Sequence, residues 1–174
     1  MFKKLAVLFL TLISVTAKAE NEYYGVNFSR LDYSETGVVD DASLSTIDLR
    51  LGKPFNEHIA AELRGSFGIT DEEVDVDGVD VNVELDYSYG AFLRAGLPVN
   101  DMFYPYLLGG ISELKITTSL DNRSVSRSDT SWALGLGVVV NINDNTSINV
   151  EYIDYSNDEN GEMEGVSIGL IGKF

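Results

Sequence analysis

The sequence predicts an all-β fold: an eight-stranded antiparallel up-and-down transmembrane β-barrel. Three observations carry this. Apolar and polar residues alternate at period two in eight separate segments, whereas a helix would space its apolar residues three and four apart. The connections between segments alternate between short and long. After the first 19 residues, no apolar run approaches the roughly 20 residues that a spanning helix needs.

The opening "MFKKLAVLFLTLISVTAKA" has a basic start at Lys3 and Lys4, an apolar run, and a close on Ala17-Lys18-Ala19. This is the pattern of a secretory signal peptide, cleaved after Ala19. Residues 1–19 are therefore expected to be the signal and 20–174 one barrel domain. The first strand lies near 22–32, with Tyr24, Val26 and Phe28 set against Gly25, Asn27 and Ser29. The second, near 44–53, sets Ile47, Leu49 and Leu51 against Asp48 and Arg50. The third, near 59–69, sets Ile59, Ala61, Leu63 and Phe67 against Glu62, Arg64 and Ser66.

The fourth, 79–97, is the clearest. Val79, Val81, Val83, Leu85, Tyr87, Tyr89, Ala91, Leu93, Ala95 and Leu97 alternate with a set that includes Asp80, Asn82, Glu84, Asp86 and Arg94. The fifth, near 102–118, has no clear facing, and a bulge is expected around Gly109-Gly110. The sixth, near 129–142, sets Trp132, Leu134, Leu136, Val138 and Val140 against Ser131, Gly135 and Gly137. The seventh lies near 146–155. The eighth ends the chain as "GVSIGLIGKF".

Three connections are short: 53–58, 97–101 and 143–145. Four are longer and polar: 33–43, 70–78, 119–128 and 156–164. Short turns at one end and long loops at the other are the layout of a barrel in an outer membrane. Small residues fill the polar set, as a crowded lumen needs, so the apolar set is expected to face lipid. Aromatics gather near both strand ends and predict two interfacial girdles. One comprises Tyr23, Tyr24, Phe55, Phe103, Tyr104, Tyr106 and Phe174; the other comprises Tyr33, Phe67, Tyr87, Trp132 and Tyr155.

The chain carries 28 acidic and 12 basic residues, for a formal charge of −16, and no Cys. Three of the lysines lie in the leader, so the mature chain is more acidic still. A basic surface for nucleic acid is absent, and so are disulfides and thiolate metal sites.

The leader, "FYPYLLGGIS" (103–112), "SWALGLGVVVNINDNTSINVEYIDYS" (131–156) and the terminal "LIGKF" resemble the small outer-membrane β-barrel family. That family includes the opacity-like proteins, the OmpA transmembrane domain and the OmpX/Ail group. The resemblance spans the mature chain. It implies a porin-like barrel at the Gram-negative cell surface, a monomer surrounded by outer-membrane lipid and lipopolysaccharide. It also implies that the terminal Phe174 is read by the barrel-assembly machinery. With the chain ending at the eighth strand, the peptidoglycan-binding domain of OmpA is not expected.

Candidate chemistry is sparse, and neither a catalytic residue nor a cofactor is expected. His58 is the only His and lies in a short turn, away from the outer leaflet where a lipid-modifying barrel would need its base. Asp75-x-Asp77-Gly78-x-Asp80 has part of the spacing of a calcium loop but lacks its closing Glu. Ca²⁺ or Mg²⁺ at the acidic loops is the one ion expectation, as a bridge to lipopolysaccharide phosphates. The charges Asp48, Arg50, Glu62, Arg64, Glu84 and Arg94 are expected inside the lumen, with Asp86, Glu151 and Lys173 facing the same way. A five-residue turn would pair Arg50 with Glu62 and Asp48 with Arg64, with Glu84 within reach of Arg64. Eight strands leave a lumen just wide enough for side chains. An ion-paired plug is therefore expected. The leading function is a non-enzymatic structural or surface-interaction role through acidic external loops. The alternatives are a narrow channel for small solutes and a lipid-modifying enzyme.

Overall fold

The computed structural model describes residues 22–35, 42–76, 79–120, 123–156 and 161–173. The expected signal peptide and Phe174 lie outside the described residues. Nine strands form: β1 (Tyr23–Glu35), β2 (Ala42–Pro54), β3 (Ile59–Gly68), β4 (Asp71–Val76), β5 (Val79–Gly96), β6 (Phe103–Leu120), β7 (Arg123–Asn141), β8 (Thr146–Ser156) and β9 (Gly161–Lys173). Each pairs antiparallel with its neighbour. The ring closes through β1 with β9 and β3 with β5, so eight strands make the barrel and β4 prolongs β3. Closure leaves no strand edge in the lipid, where an unpaired backbone could not be satisfied. Among the described residues no helix is long and apolar enough to cross a membrane.

The short turns share one device. Asn56 Oδ1 accepts the N–H of His58 and Ile59 at 2.8 and 2.9 Å, and Asn100 Oδ1 accepts those of Met102 and Phe103 at 2.9 and 2.8 Å. Asn143 Oδ1 accepts the Asn145 N–H at 3.0 Å. An Asn side chain that bonds the backbone two residues on makes a tight reversal without tertiary help.

The outer end differs from the expected loops. The segments at 70–78 and 119–128 are the tips of long hairpins: β4 pairs β5 up to Val76↔Val79, and β6 pairs β7 up to Leu120↔Arg123. β4, the start of β5, the end of β6 and the start of β7 form a four-stranded extension beyond the barrel. Ser and Thr are frequent in its β6–β7 arm and acids in its β4–β5 arm, which suits strands that meet water.

The apolar set faces outward over most of the barrel, with Leu134, Leu136, Ile168 and Leu170 all more than half exposed. Two corrections follow. The expected irregularity at Gly109-Gly110 is absent, because β6 keeps its register with β7 throughout. The bulge lies in β5, between Leu85 and Tyr87. Below it the even residues Ser88, Phe92 and Arg94 point inward. Above it the odd residues Val83 and Leu85 do. Leu85 is 1% exposed rather than lipid-facing. Gly68 lies against this kink, where any side chain would run into the Leu85 carbonyl.

Candidate functional site: the sealed lumen and the outer extension

The lumen is built in layers. At the outer end Leu31, Leu44, Leu85, Leu114, Ile153 and Met163 close an apolar cap, with Leu44 and Met163 fully buried. Beneath it lies a layer of hydroxyls. Ser29, Ser66, Ser88, Ser112, Ser131 and Ser167 are all buried and come from six different strands. Five of them, Ser29, Ser66, Ser88, Ser112 and Ser167, line with Asp48 a small cavity of about 20 Å³, room for about one water.

The ionic layer follows. Arg64 binds both lumen carboxylates: Nη2 lies 2.6 Å from Glu62 Oε2, and Nη1 lies 2.5 Å from Glu151 Oε1. Arg50 reaches Glu151 at 3.6 Å and Glu62 at 3.9 Å, and Arg94 reaches Glu62 at 3.2 Å. Two tyrosine hydroxyls complete the set. Tyr23 donates to Glu62 at 2.5 Å and Tyr106 to Glu151 at 2.7 Å. The Arg94 guanidinium sits over the rings of Tyr23, Tyr104 and Tyr106 at 4.5 to 5.4 Å. Three cations face two carboxylates, and the ring faces take up part of the excess positive charge. Below this layer a vestibule of about 440 Å³ opens to the short-turn end, floored by Arg94 and walled by Tyr104, Ala60 and Ile171.

The expected lumen charges sort themselves as follows. Arg50, Glu62, Arg64 and Arg94 share one cluster. Asp48 is inside but apart from Arg64, and accepts from Ser29 and from Thr46 Oγ1. Glu84 is outside, since the bulge turns it outward opposite Asp71 and Thr117. The expected β2–β3 pairs are wrong by two residues. Gly52 pairs Glu62, Arg50 pairs Arg64 and Asp48 pairs Ser66. That register brings two arginines face to face, which is tolerable only because Glu62 and Glu151 lie between them. Glu151 was expected inside and is, but its place as the second partner of Arg64, across the barrel, was not legible from its strand. Asp86, also expected inside, is half-buried at the bulge, and Lys173 is exposed.

The girdles also need correction. Tyr24, Phe55, Phe103, Phe67 and Trp132 are exposed on the outer side. Tyr23, Tyr106 and Tyr155 are buried in the lumen, and Tyr33 and Tyr104 pack against the apolar cluster there. The hydroxyls of Tyr23 and Tyr106 have carboxylates to bind inside, which a lipid-facing position would deny them.

On the outer extension Asp71, Glu72, Glu73 and Glu84 are all exposed. Lys115 and Asp86 form an ion pair at the bulge, and that hydrogen bond holds the Lys115 ammonium above the usual lysine range. Asp75 and Asp80 stand opposite each other in the β4–β5 hairpin; their side chains, and Asp77, lie outside the described residues. Among the described residues no group of three or more His, Cys, Asp or Glu is placed to hold a metal ion. His58 sits in the β2–β3 turn with Nδ1 3.1 Å from the Gly96 carbonyl.

The architecture matches known proteins. The chain is similar to Ail, the attachment invasion locus protein of Yersinia pestis, at 19% identity and a TM-score of 0.67, covering 90% of this chain and 100% of that one. It is similar to Neisserial surface protein A at 15% identity and a TM-score of 0.68, covering 88% of this chain and 97% of that one. It is also similar to OprG of Pseudomonas aeruginosa at 15% identity and a TM-score of 0.66, covering 90% and 97%. No curated protein matches the sequence. The model of the outer membrane protein beta-barrel domain matches residues 5–174. With that match and a closed eight-stranded barrel faced by apolar side chains, the chain belongs to the outer-membrane β-barrel protein family and is a protein of the bacterial outer membrane.

Proposed function

We propose that this barrel is a non-enzymatic surface protein whose lumen passes no solute and whose outer extension meets the exterior. The layered lumen carries this reading. An ion or solute entering from the vestibule would have to break the Arg64, Glu62 and Glu151 network and then part an apolar cap. Uncovering buried paired charges costs several kcal/mol per group. The lone His58 supports the absence of catalysis, being bonded to backbone in a turn at the end away from the extension. The extension and its rim are acidic: Asp32 and Asp154 flank Glu164 across β1, β9 and β8, and Asp71, Glu72 and Glu73 line β4. In a complex of Ail the bound heparin analogue is sucrose octasulfate, a polyanion. An acidic extension would repel such a ligand, so its partners are expected to be cationic or neutral. Purified barrel in a planar bilayer should show no steady conductance; continuous single-channel openings would remove the proposal.

A further inference from the structure

The vestibule at the short-turn end stops on a cation whose hydrogen bonds are unmade. Arg94 forms its floor and is only 8% exposed. Arg94 Nε and Nη1 are buried and have no hydrogen-bond partner among the described residues. The carboxylate beside them is already engaged. Glu62 Oε2 accepts from Arg64 Nε and Nη2 at 2.9 and 2.6 Å, and Glu62 Oε1 accepts the Tyr23 hydroxyl at 2.5 Å. Arg94 Nη1 lies 3.2 Å from that Oε1, close enough for attraction but out of line for a hydrogen bond. The rings of Tyr23, Tyr104 and Tyr106 hold the cation by their faces and leave its in-plane donors free. A guanidinium presents five N–H groups in a fixed fork that matches a carboxylate, and a buried donor left unpaired is costly. The floor of the vestibule is therefore built to take an acceptor from outside.

The walls indicate what carries that acceptor. Tyr104, Ala60, Val139, Ile171 and Phe55 present ring and aliphatic surface. Ala60 shares a rung with Arg94, and its small side chain leaves the space before the guanidinium open. Tyr104 is held in place by its hydroxyl, which donates to the Glu57 carbonyl at 3.1 Å, and it packs over Gly96, where a side chain would strike the ring. Exposed Lys173 adds a second cation to the lining. The acid on the lining, Glu57, lies 3.4 Å from His58 Nε2. A space of about 440 Å³ with apolar walls and a few convergent polar groups suits a small molecule. We propose that the vestibule binds a small organic carboxylate with an apolar body. The carboxylate docks on Arg94, and the body packs against Tyr104, Val139 and Ile171. The ligand enters and leaves by the short-turn end, the periplasmic side of such barrels, because the Arg64 layer closes the way above it.

This site is separate from the surface role proposed above and needs no passage through the lumen, so binding and conductance fail independently. The test uses the barrel in phosphatidylcholine nanodiscs, with empty nanodiscs as the blank for partition into lipid and heat-modified gel migration as the check of folding. The probe is para-fluorobenzoate, followed by fluorine NMR relaxation. Its binding should saturate, and the neutral analogue para-fluorobenzyl alcohol should bind about tenfold more weakly. Arg94→Gln should weaken the carboxylate by about the same factor and leave the alcohol unchanged. Lys173→Gln, at an exposed position, should cost about twofold. Ala60→Phe fills the vestibule without changing its charge and should abolish binding of both probes. These last two variants decide the matter if Arg94→Gln does not fold. Inorganic phosphate should displace the probe only in large excess. Absence of saturable binding, equal affinity for acid and alcohol, or binding that survives the Arg94 and Ala60 changes would overturn the proposal. So would displacement by phosphate at equal concentration, which would mark a site for free anions alone.

Discussion

Arg64 is the residue on which the lumen turns, because it alone binds Glu62 and Glu151 at close range. Arg64→Ala strands two buried carboxylates, and breaking a buried pair in this way costs about 3–5 kcal/mol. Adding Glu151→Ala should cost less than the separate losses predict, with a coupling of about 0.5–3 kcal/mol in a double-mutant cycle. Asp48→Ala should add to Arg64→Ala without coupling, because its partners are Ser29 and Thr46. Denaturant titration in detergent reads both cycles, and coupling to Asp48 alone would restore the cross-strand pairing expected from sequence. On the lipid face, Leu136→Arg should cost about 2–4 kcal/mol if it sits near the midplane. The same change at exposed Ser128 should be close to neutral. The inward parity of Arg50, Glu62 and Arg64 was legible from alternation alone. Their pairing was not, because parity is unchanged by a two-residue slip. In the register that forms, both arginines meet Glu151, a residue from another part of the barrel wall.

At the scale of the element, β5 explains both the success and the error of pattern reading. Its odd residues are apolar from Val79 to Leu97 without interruption. Within the membrane that set must face out, toward lipid. Above the membrane the outside is water, and the same set must face in. One uninterrupted pattern crossing the interface therefore requires a one-residue shift, and the bulge between Leu85 and Tyr87 supplies it. The sequence held this requirement but not the position of the interface, so Leu85 and Glu84 were assigned to the wrong faces. The polar runs at 70–78 and 119–128 misled for the same reason: a hairpin in water needs no apolar face to be a strand. The short turns were legible because their Asn residues act locally. Deleting Asp86 removes only the extra residue and keeps Leu85 inside opposite Ile116. Deleting Leu85 should instead leave Asp86 or Glu84 in its inward place, in the apolar cap beside Leu44 and Leu114. Burying a charge without a partner there should unfold the extension while the lower barrel survives. Limited trypsin digestion should then cut at Arg123 or Arg127, with heat-modified migration retained. Asp86→Ala keeps the register and should leave the extension resistant.

For the whole molecule, the lumen holds two seals of different chemistry in series. The ionic layer excludes solutes because its charges are buried and paired. The cap excludes them because water has no partners among Leu31, Leu44, Leu85, Leu114 and Met163. Either seal alone should keep the barrel shut. Leu44→Ser with Leu85→Ser would wet the cap but leave the Arg64 network spanning the lumen below it. Arg64→Ser with Glu151→Ser would open a polar path from the vestibule to the hydroxyl layer, ending against the cap. Each pair should cost stability, since a buried leucine lost to a small side chain costs about 2–5 kcal/mol and a broken ion network a similar amount. Neither pair should conduct. Only the quadruple variant joins the 440 Å³ vestibule to the exterior, and steady openings should appear in it alone. Conductance is recorded in planar bilayers for all four proteins, with folding confirmed by gel migration. Openings in the cap pair alone would show that the ionic layer is not a barrier. Openings in the ionic pair alone would show the same of the cap, and a silent quadruple variant would mean that the strands themselves collapse inward when the side chains are removed.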